Sequence, residues 1–120
     1  MPLYNLQEFQ QMVHADRWGY FNIRRPHANL DKLGWSDEYL ARVLCGLDEQ
    51  RDFQKTVPNC AVNDLEGHEF LDADQYKLYW DEVQGVGCIE PDQATVCLSL
   101  KIAIIQDEDG SWAGVVTFHT

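Results

Sequence analysis

The sequence feature that most constrains the fold is a strict alternation of side-chain character over residues 96–104. Apolar side chains stand at every second position of this stretch: Val96, Leu98, Leu100, Ile102 and Ile104. Because successive side chains of a strand point to opposite faces, this period predicts a strand with one buried face. Residues 107–110 are typical of a turn and residues 112–119 resume a strand pattern, so the two segments predict an antiparallel hairpin.

Helical spacing of apolar residues characterises the first half of the chain. Residues 3–17 carry apolar side chains three or four positions apart, which predicts a helix over this range. A second short helix is expected from Pro26 to Gly34. A third helix is expected after Ser36, a good N-cap, and it ends near Gly46.

The remaining segments are richer in glycine, proline, asparagine and aspartate. On that composition residues 57–74 and 84–92 are expected to be mostly loop, whereas the aromatic residues 75–83 favour a strand. Residues 20–23 are expected to form a small strand or a packed connection. Helices first and strands second predict an α+β domain in which N-terminal helices pack on a C-terminal antiparallel sheet.

Length and composition are those of a single domain over residues 1–120. Hydrophobic residues make up 45% of the chain, and no apolar run approaches the ~20 residues that a membrane span needs. The first residues lack the basic-then-apolar order of a signal peptide. The four cysteines have no metal-site spacing. We therefore expect a cytoplasmic protein with reduced thiols, no metal, no cofactor and no membrane partner.

Charge is the strongest property of the composition. Nine basic residues stand against twenty acidic ones, which gives a net charge of −11. Residues 1–35 hold four basic and three acidic residues, a balance of +1, whereas residues 36–120 hold five and seventeen, a balance of −12. A nucleic-acid binder usually clusters Lys and Arg. Solubility is the ordinary explanation of the acidic excess, and a basic partner or mimicry of a polyanion is the alternative.

Several short motifs follow one another in a fixed order. Leu33-Gly34 ends a short helix, Val43-x-x-Gly46-Leu47 follows, and Asp52-Phe53-x-Lys55-Thr56 comes next. The predicted hairpin carries Leu98-Ser99-Leu100-Lys101-Ile102 and ends in Val116-Thr117-Phe118-His119. In this order and spacing, and most specifically in the first three motifs, the chain resembles the MqsR family of toxin–antitoxin ribonucleases.

The resemblance implies a metal-independent endoribonuclease with a RelE-like fold, which cuts messenger RNA and is neutralised by a cognate antitoxin. By position, Lys55 matches the lysine of the family's Asp-Phe-x-Lys motif. Ser99 stands where the family has a strand tyrosine, and His119 where it has a lysine after the last phenylalanine. Asp81 stands where the family's Trp-Gln-Asp-Val segment has glutamine.

Cleaving RNA without a metal needs three groups. A base takes the 2′-hydroxyl proton, an acid protonates the leaving 5′-oxygen, and a cation stabilises charge on the phosphorane. Lys55 and Lys101 are the candidate cations. His119 is the candidate base or acid, because histidine side chains titrate near neutral pH. These three are the predicted catalytic residues.

Three further residues are predicted to bind substrate. Arg24 and Arg25, the only adjacent basic pair, are expected to contact phosphate, and Tyr79 to stack on a base. Every candidate also has an ordinary explanation. Lysines and arginines are mostly solvated surface residues, and His119 is the next-to-last residue of the sequence, where fraying is common.

Two other functions stay open. A catalytically inactive protein on the same fold would use its acidic surface to block a basic partner, as an immunity protein, an inhibitor or a nucleic-acid mimic does. A small metal enzyme would use His68, Glu69 and nearby acids, which lack a standard ligand spacing. The surroundings of Lys55 discriminate between them. Convergence of the other cations and His119 on Lys55 favours a ribonuclease, whereas a ring of acids repels RNA.

Overall fold

The computed structural model describes residues 1–120, apart from the side chain of Arg25. Its helices are α1 (Leu6–His14), α2 (Arg24–Leu33), α3 (Asp37–Cys45) and α4 (Glu49–Asp52). Its strands are β1 (Trp18–Tyr20), β2 (Phe53–Ala61), β3 (Phe70–Asp81), β4 (Val86–Cys88), β5 (Val96–Asp107) and β6 (Gly110–His119). A 3₁₀ helix, Pro91–Gln93, precedes β5. The predicted α+β class is confirmed.

Local side-chain chemistry defines the ends of the helices. Asn5 caps α1 by accepting a hydrogen bond from the Glu8 N–H, and Ser36 caps α3 by accepting from the Tyr39 N–H, as its sequence predicts. Helix α2 ends at Gly34, whose φ of 72° is left-handed and favours glycine. None of these helices has both the length and the apolar character needed to cross a bilayer.

The strands form one sheet in the order β1-β6-β5-β3-β2, with β4 paired to the far end of β3. All the pairs are antiparallel except β1 with β6, which is parallel. The predicted hairpin of residues 96–119 is confirmed as β5 and β6. In β1, Gly19 lies inside the strand, and the preceding helix ends at His14, earlier than the apolar spacing predicts, because Asp16 adopts a left-handed φ of 61°.

The helices cover one face of the sheet, which we call the helical face. Its apolar core is continuous between α1, α2, α3 and the strands. The strand residues of this core are Tyr76, Leu78, Trp80, Leu98, Leu100, Ile102, Ala113, Val115 and Phe118. The alternation in residues 96–102 is therefore the signature of this face, as predicted, and burial of the apolar side chains of this face stabilises the fold.

The opposite face of the sheet is covered only in part. A second, smaller core forms there from Phe21, Val62, Ala73, Ala103 and Val116. These residues come from the segment after β1, the β2–β3 connection and the adjoining parts of three strands. The other half of this face, towards Lys101 and His119, has no helix over it, and this uncovered half carries the candidate site.

The prediction of loop is wrong for much of residues 57–74 and, within residues 84–92, for the three residues of β4 alone. Most of the first range belongs to β2 and β3, and the second contains β4. Strand β2 is at the sheet edge, where proline is tolerated. Pro58 and Asn59 fall at a shift of register between Val57 and Cys60, and Asn59 has a φ of 54°. Because the bulge accommodates proline and asparagine, this strand has a composition that is typical of a turn.

Candidate functional site

The Asp-Phe-x-Lys-Thr motif fixes the start of β2. The Asp52 side chain is 1% exposed and accepts hydrogen bonds from the Arg51 guanidinium at 2.8 Å and from the Asp48 N–H at 2.8 Å. The Asp52 carboxylate at the end of the short helix α4 therefore binds the backbone of Asp48, the N-cap residue of the same helix. The same ion pair raises the pKa of the Arg51 guanidinium. Asp52 is a structural residue of the motif.

The next residues of the motif hold the strand that carries Lys55. Phe53 packs edge-on against Tyr76, with ring centroids 5.5 Å apart. Thr56 donates its hydroxyl to Asp74 at 2.6 Å, and Asp74 is fully buried. Lys55 lies between these two anchored positions, after a register shift, and its side chain is exposed. The motif thus presents one lysine on the uncovered side of the sheet.

Strand register brings Lys55 and Lys101 into one row. Lys55 pairs with Gln75, Gln75 pairs with Lys101, and Lys101 pairs with Thr117. Residues directly opposite one another in a sheet share a face. Because adjacent strands lie about 4.8 Å apart, the Cα atoms of Lys55 and Lys101 are separated by about 10 Å. Gln75 lies between them.

A second row runs beside the first. Lys77 pairs with Ser99, and Ser99 pairs with His119. Lys101 and His119 are diagonal neighbours on adjacent strands, which places their Cα atoms about 7–8 Å apart. We call the two rows together the cationic strip, and its members are Lys55, Gln75, Lys101, Thr117, Lys77, Ser99 and His119.

Tyr79 lies one position beyond the cationic strip on the same face of β3. The Lys77 ammonium is 5.6 Å from the centroid of the Tyr79 ring. The ring is half-buried. A half-exposed aromatic ring beside a cation can stack on a nucleobase while the cation contacts phosphate.

The cations of the cationic strip lack acidic partners. None of the residues in its two rows is acidic. Among the described side chains, Lys55, Lys77 and Lys101 form no ion pair, although the chain has more than twice as many acidic as basic residues. The uncovered half-face of an acidic chain therefore carries lysines that no described carboxylate contacts at ion-pair distance.

A cleft of about 960 Å³ adjoins the strip where the covered half of the face begins. Arg24, at the start of α2, and Lys101 both line it, together with Thr117. The Thr117 hydroxyl oxygen is buried and has no hydrogen-bond partner among the described residues. Asp64 also lines the cleft, and it accepts a hydrogen bond from the Ile23 N–H at 2.9 Å.

Cys60 is a further residue of this cleft. Burial raises the pKa of its thiol, and the nearby Lys101 ammonium opposes that shift only in part. The thiol donates to the Val57 carbonyl oxygen at 3.4 Å. A thiol with a raised pKa stays protonated near neutral pH, so Cys60 contributes no nucleophile to the site.

The structure brings most of the predicted site residues to one face, though not to one point. Lys55, Lys101, His119 and Tyr79 share the uncovered half-face, and Arg24 reaches its edge. Lys55 and His119 are three strand spacings and two residues along a strand apart, or about 16 Å between Cα atoms. Lys101 lies on the strand next to that of His119 and two strands from Lys55, so the other cations and His119 do not converge on Lys55. The side chain of Arg25 lies outside the described part of the chain.

Two residues of the strip are not identified by the sequence motifs. By position, the family's glutamine falls on Asp81 and not on Gln75. Asp81 lies six residues beyond Gln75 on β3, which at about 3.3 Å per residue places it about 20 Å from Gln75. The Asp81 carboxylate instead accepts from the Val83 and Gln84 N–H groups of the next turn. Gln75 and Lys77 are the strip's residues on this strand. Alternation of Gln75, Lys77 and Tyr79 with the buried residues between them is the signal that identifies them.

Metal-ligand geometry is absent from the described side chains, since no group of three or more His, Cys, Asp or Glu is placed to hold an ion. His68 and Glu69 are exposed residues of the β2–β3 connection. The two buried carboxylates, those of Asp52 and Asp74, are saturated by protein donors. Asp74 accepts from the Leu3 and Tyr4 N–H groups as well as from Thr56.

Comparison of the chain with models of known families, with curated protein sequences and with solved structures found no match.

Proposed function

We propose that the protein is a metal-independent endoribonuclease of the MqsR type, with a RelE-like fold, that cuts messenger RNA and is neutralised by an antitoxin protein. The observation that carries this proposal is the cationic strip. In a chain of net charge −11, three unpaired lysines and a histidine share the uncovered half of one sheet face. A polyanion is the partner that such a surface attracts.

The strip's geometry supports a division of labour in cleavage. A phosphate held at Lys101 lies beside that ammonium group, which stabilises charge as the phosphorane forms, and Lys55, two strands away, holds a neighbouring phosphate. His119, diagonal to Lys101, takes the 2′-hydroxyl proton. The 2′-oxygen then bonds to phosphorus, the bond to the 5′-oxygen breaks, and that oxygen takes a proton from a lysine ammonium. The products are a 2′,3′-cyclic phosphate and a free 5′-hydroxyl.

The substrate groups on either side of that phosphate also find matching chemistry. Tyr79 and Lys77 offer a ring for a base and a cation for the next phosphate. Arg24, on the other side of Lys101, offers a guanidinium for a phosphate that enters the 960 Å³ cleft. RNA lying across the strands from β2 to β6 would contact all of them.

Cleavage of a messenger RNA by purified protein in EDTA tests the proposal. We expect the wild type to cut, and Lys101→Ala to lose about 100-fold or more of the rate, as expected for removal of a group that stabilises the transition state. Lys55→Ala and His119→Ala are expected to lose at least about 10-fold. The matched control is Lys32→Ala on the exposed side of α2, which should cut like the wild type.

The acidic balance of residues 36–120 favours a second candidate, the inactive binding protein that blocks a basic partner. The same experiment separates the two. If the folded wild type leaves RNA intact and does not bind it, the ribonuclease proposal fails. Cutting that EDTA abolishes, or that survives in Lys101→Ala, would also contradict the assignment.

A further inference from the structure

Strand β1 leaves one edge of the sheet open. The Arg17 carbonyl accepts from the Ala113 N–H at 3.0 Å, and the Phe21 N–H donates to the Val115 carbonyl at 2.9 Å. Alternate residues of a strand direct their backbone groups to the same side. The N–H and C=O groups of Trp18 and Tyr20 therefore point away from β6. In the described sheet no strand lies beyond β1, so this edge can accept another chain.

A groove of about 680 Å³ runs along this open edge. All three residues of β1 line one wall, and residues of α3, among them Ala41, line the other. The Trp18 and Tyr20 rings meet edge to face in it, with centroids 5.4 Å apart and planes at 63°, and the Tyr20 ring also contacts His27. The groove therefore combines free backbone groups with two aromatic surfaces.

Three carboxylates line the groove, against His14 and Arg42 as its basic side chains. Asp16, Asp37 and Glu38 line it, and only Asp37 is engaged, accepting from the Tyr20 hydroxyl at 2.7 Å. That hydrogen bond adds to burial in raising the pKa of the Tyr20 phenol, so the phenol remains a neutral donor. Arg42 lines the groove too, but its guanidinium lies against Gly85 on the β3–β4 turn. Carboxylates and aromatic faces together attract a cationic side chain.

We propose that this β1 groove binds an extended basic segment of a partner protein. The segment pairs with Trp18 and Tyr20 as an additional strand, and its lysine or arginine enters between the two rings and the carboxylates. A small cation would leave the strand edge unused. A second copy of this chain is disfavoured because each copy has a charge of −11. The groove is separate from the cationic strip, so this inference does not depend on the ribonuclease proposal.

Titration with a synthetic peptide, followed by calorimetry and by amide chemical shifts, tests the groove. The probe is a capped seven-residue peptide of alternating valine and arginine. We expect it to bind and to shift the Trp18, Tyr20 and Glu38 amides. A peptide with glutamate for arginine should bind at least about 10-fold more weakly, because the charge complementarity is reversed. Backbone N-methylation at alternate residues should cost a similar factor by removing the strand pairing.

Matched variants of the protein complete the test. The double substitution Asp16→Asn with Glu38→Gln should weaken binding of the arginine peptide about 5-fold, since two facing charges are lost. The control, Glu90→Gln with Asp92→Asn, removes two exposed charges outside the groove and should leave affinity within about 2-fold. Lys101→Ala should leave peptide binding unchanged, which separates this groove from the RNA proposal.

Three results would overturn the inference. The first is no binding at millimolar peptide by folded protein. The second is binding that N-methylation does not weaken, which would mean that the strand edge is not used. The third is a set of shifted amides away from β1 and α3, which would mean that a basic peptide associates with the acidic surface at large.

Discussion

The two faces of strand β5 differ in both burial and chemistry. Leu98, Leu100 and Ile102 on the helical face are at most 1% exposed, whereas Ser99 and Lys101 between them are only partly covered. The same backbone supports both sets. Because neighbouring residues of one strand serve opposite faces, the stability of the fold and its candidate site occupy different sides of a single element.

This difference makes stability and activity separable by substitution. Burial of apolar area dominates the energetics of the helical face, and charge dominates those of the cationic strip. A truncation on one face should therefore leave the other face's property nearly unchanged. The predictions that follow test this separation, beginning with the largest effect.

Adjacent truncations at Leu100 and Lys101 should have opposite consequences. Leu100→Ala removes a fully buried side chain and is expected to lower the free energy of unfolding by about 3 kcal/mol, within the range seen for buried leucines. Lys101→Ala should change that free energy by less than about 0.5 kcal/mol and yet lose about 100-fold of RNA cleavage. Denaturant unfolding and cleavage assays measure the two quantities.

The control for this pair is the specific activity of the Leu100→Ala protein that remains folded. It should match the wild type, because Leu100 faces the helices. A folded Leu100→Ala protein with the activity of Lys101→Ala would show that the two faces are coupled and that the separation is wrong.

The covered half of the opposite face is expected to resist even a single added methyl group. The Phe21 ring lies directly over Gly114 of β6, where a Cβ would overlap ring atoms. Gly114→Ala should lower the free energy of unfolding by about 1–3 kcal/mol, the usual cost of overpacking. Gly19, its register partner in β1, has nothing within 4 Å of a Cβ. Gly19→Ala is the matched control, and equal losses in the two variants would contradict this account.

Sequence patterns predict the helical face well because it repeats. The alternation in residues 96–104 identifies both faces of β5, and by itself it places Ser99 and Lys101 on the same polar face. The N-cap Ser36 and the C-cap Gly34 are also identifiable from the sequence. Ser36 accepts a local hydrogen bond, and Gly34 adopts a left-handed backbone angle. Such signals lie within a few residues of the elements that they define.

The cationic strip is only partly predictable because it depends on register between distant segments. Pairing of Lys55 with Gln75 spans twenty residues and belongs to a strand pair with two shifts in register, so no local pattern reports it. Strand β2 carries Pro58 and Asn59 at its bulge, and this composition wrongly predicts a loop. Lys55 can be named from its motif, but Gln75 and Lys77 require the sheet.

A buried hydroxyl on the helical face provides a smaller test. The Tyr76 side chain is fully buried and its hydroxyl has no partner among the described residues. Tyr76→Phe should therefore raise the free energy of unfolding by about 1 kcal/mol at pH 7, because an unsatisfied polar group leaves the core. The Tyr39 hydroxyl accepts from Trp80 Nε1 at 2.9 Å. Tyr39→Phe, the control, should lower the free energy by about 1 kcal/mol.

The same tyrosine predicts a loss of stability in alkali. Burial, reinforced by the nearby Asp74 charge, raises the pKa of Tyr76 above its ordinary value of 10.0. The folded protein therefore keeps a proton that the unfolded chain releases above pH 10. The contribution of the neutral Tyr76 phenol to the free energy of unfolding is therefore complete below pH 10. Above pH 10 the free energy of unfolding falls by up to about 1.4 kcal/mol per pH unit. Tyr76→Phe should flatten this fall, and an unchanged slope in unfolding measured from pH 9 to 11 would contradict the assignment.

The smallest effect is expected at the margin of the cationic strip, where Lys77 contacts solvent and the Tyr79 ring. Each phosphate contact with single-stranded nucleic acid contributes about −0.7 to the slope of log affinity against log salt concentration. Four contacts, from Lys55, Lys77, Lys101 and Arg24, should give a slope of about −3. Lys77→Ala should make that slope shallower by about 0.7 and weaken binding a few-fold at 0.1 M salt.

A 2′-O-methyl RNA, which cannot be cleaved, allows the measurement by fluorescence anisotropy. Lys32→Ala on α2 should leave slope and affinity unchanged, because Lys32 lies outside both rows of the strip. If the two lysine variants gave the same slope, RNA would be responding to the net charge of the protein and not to the uncovered half-face of its sheet.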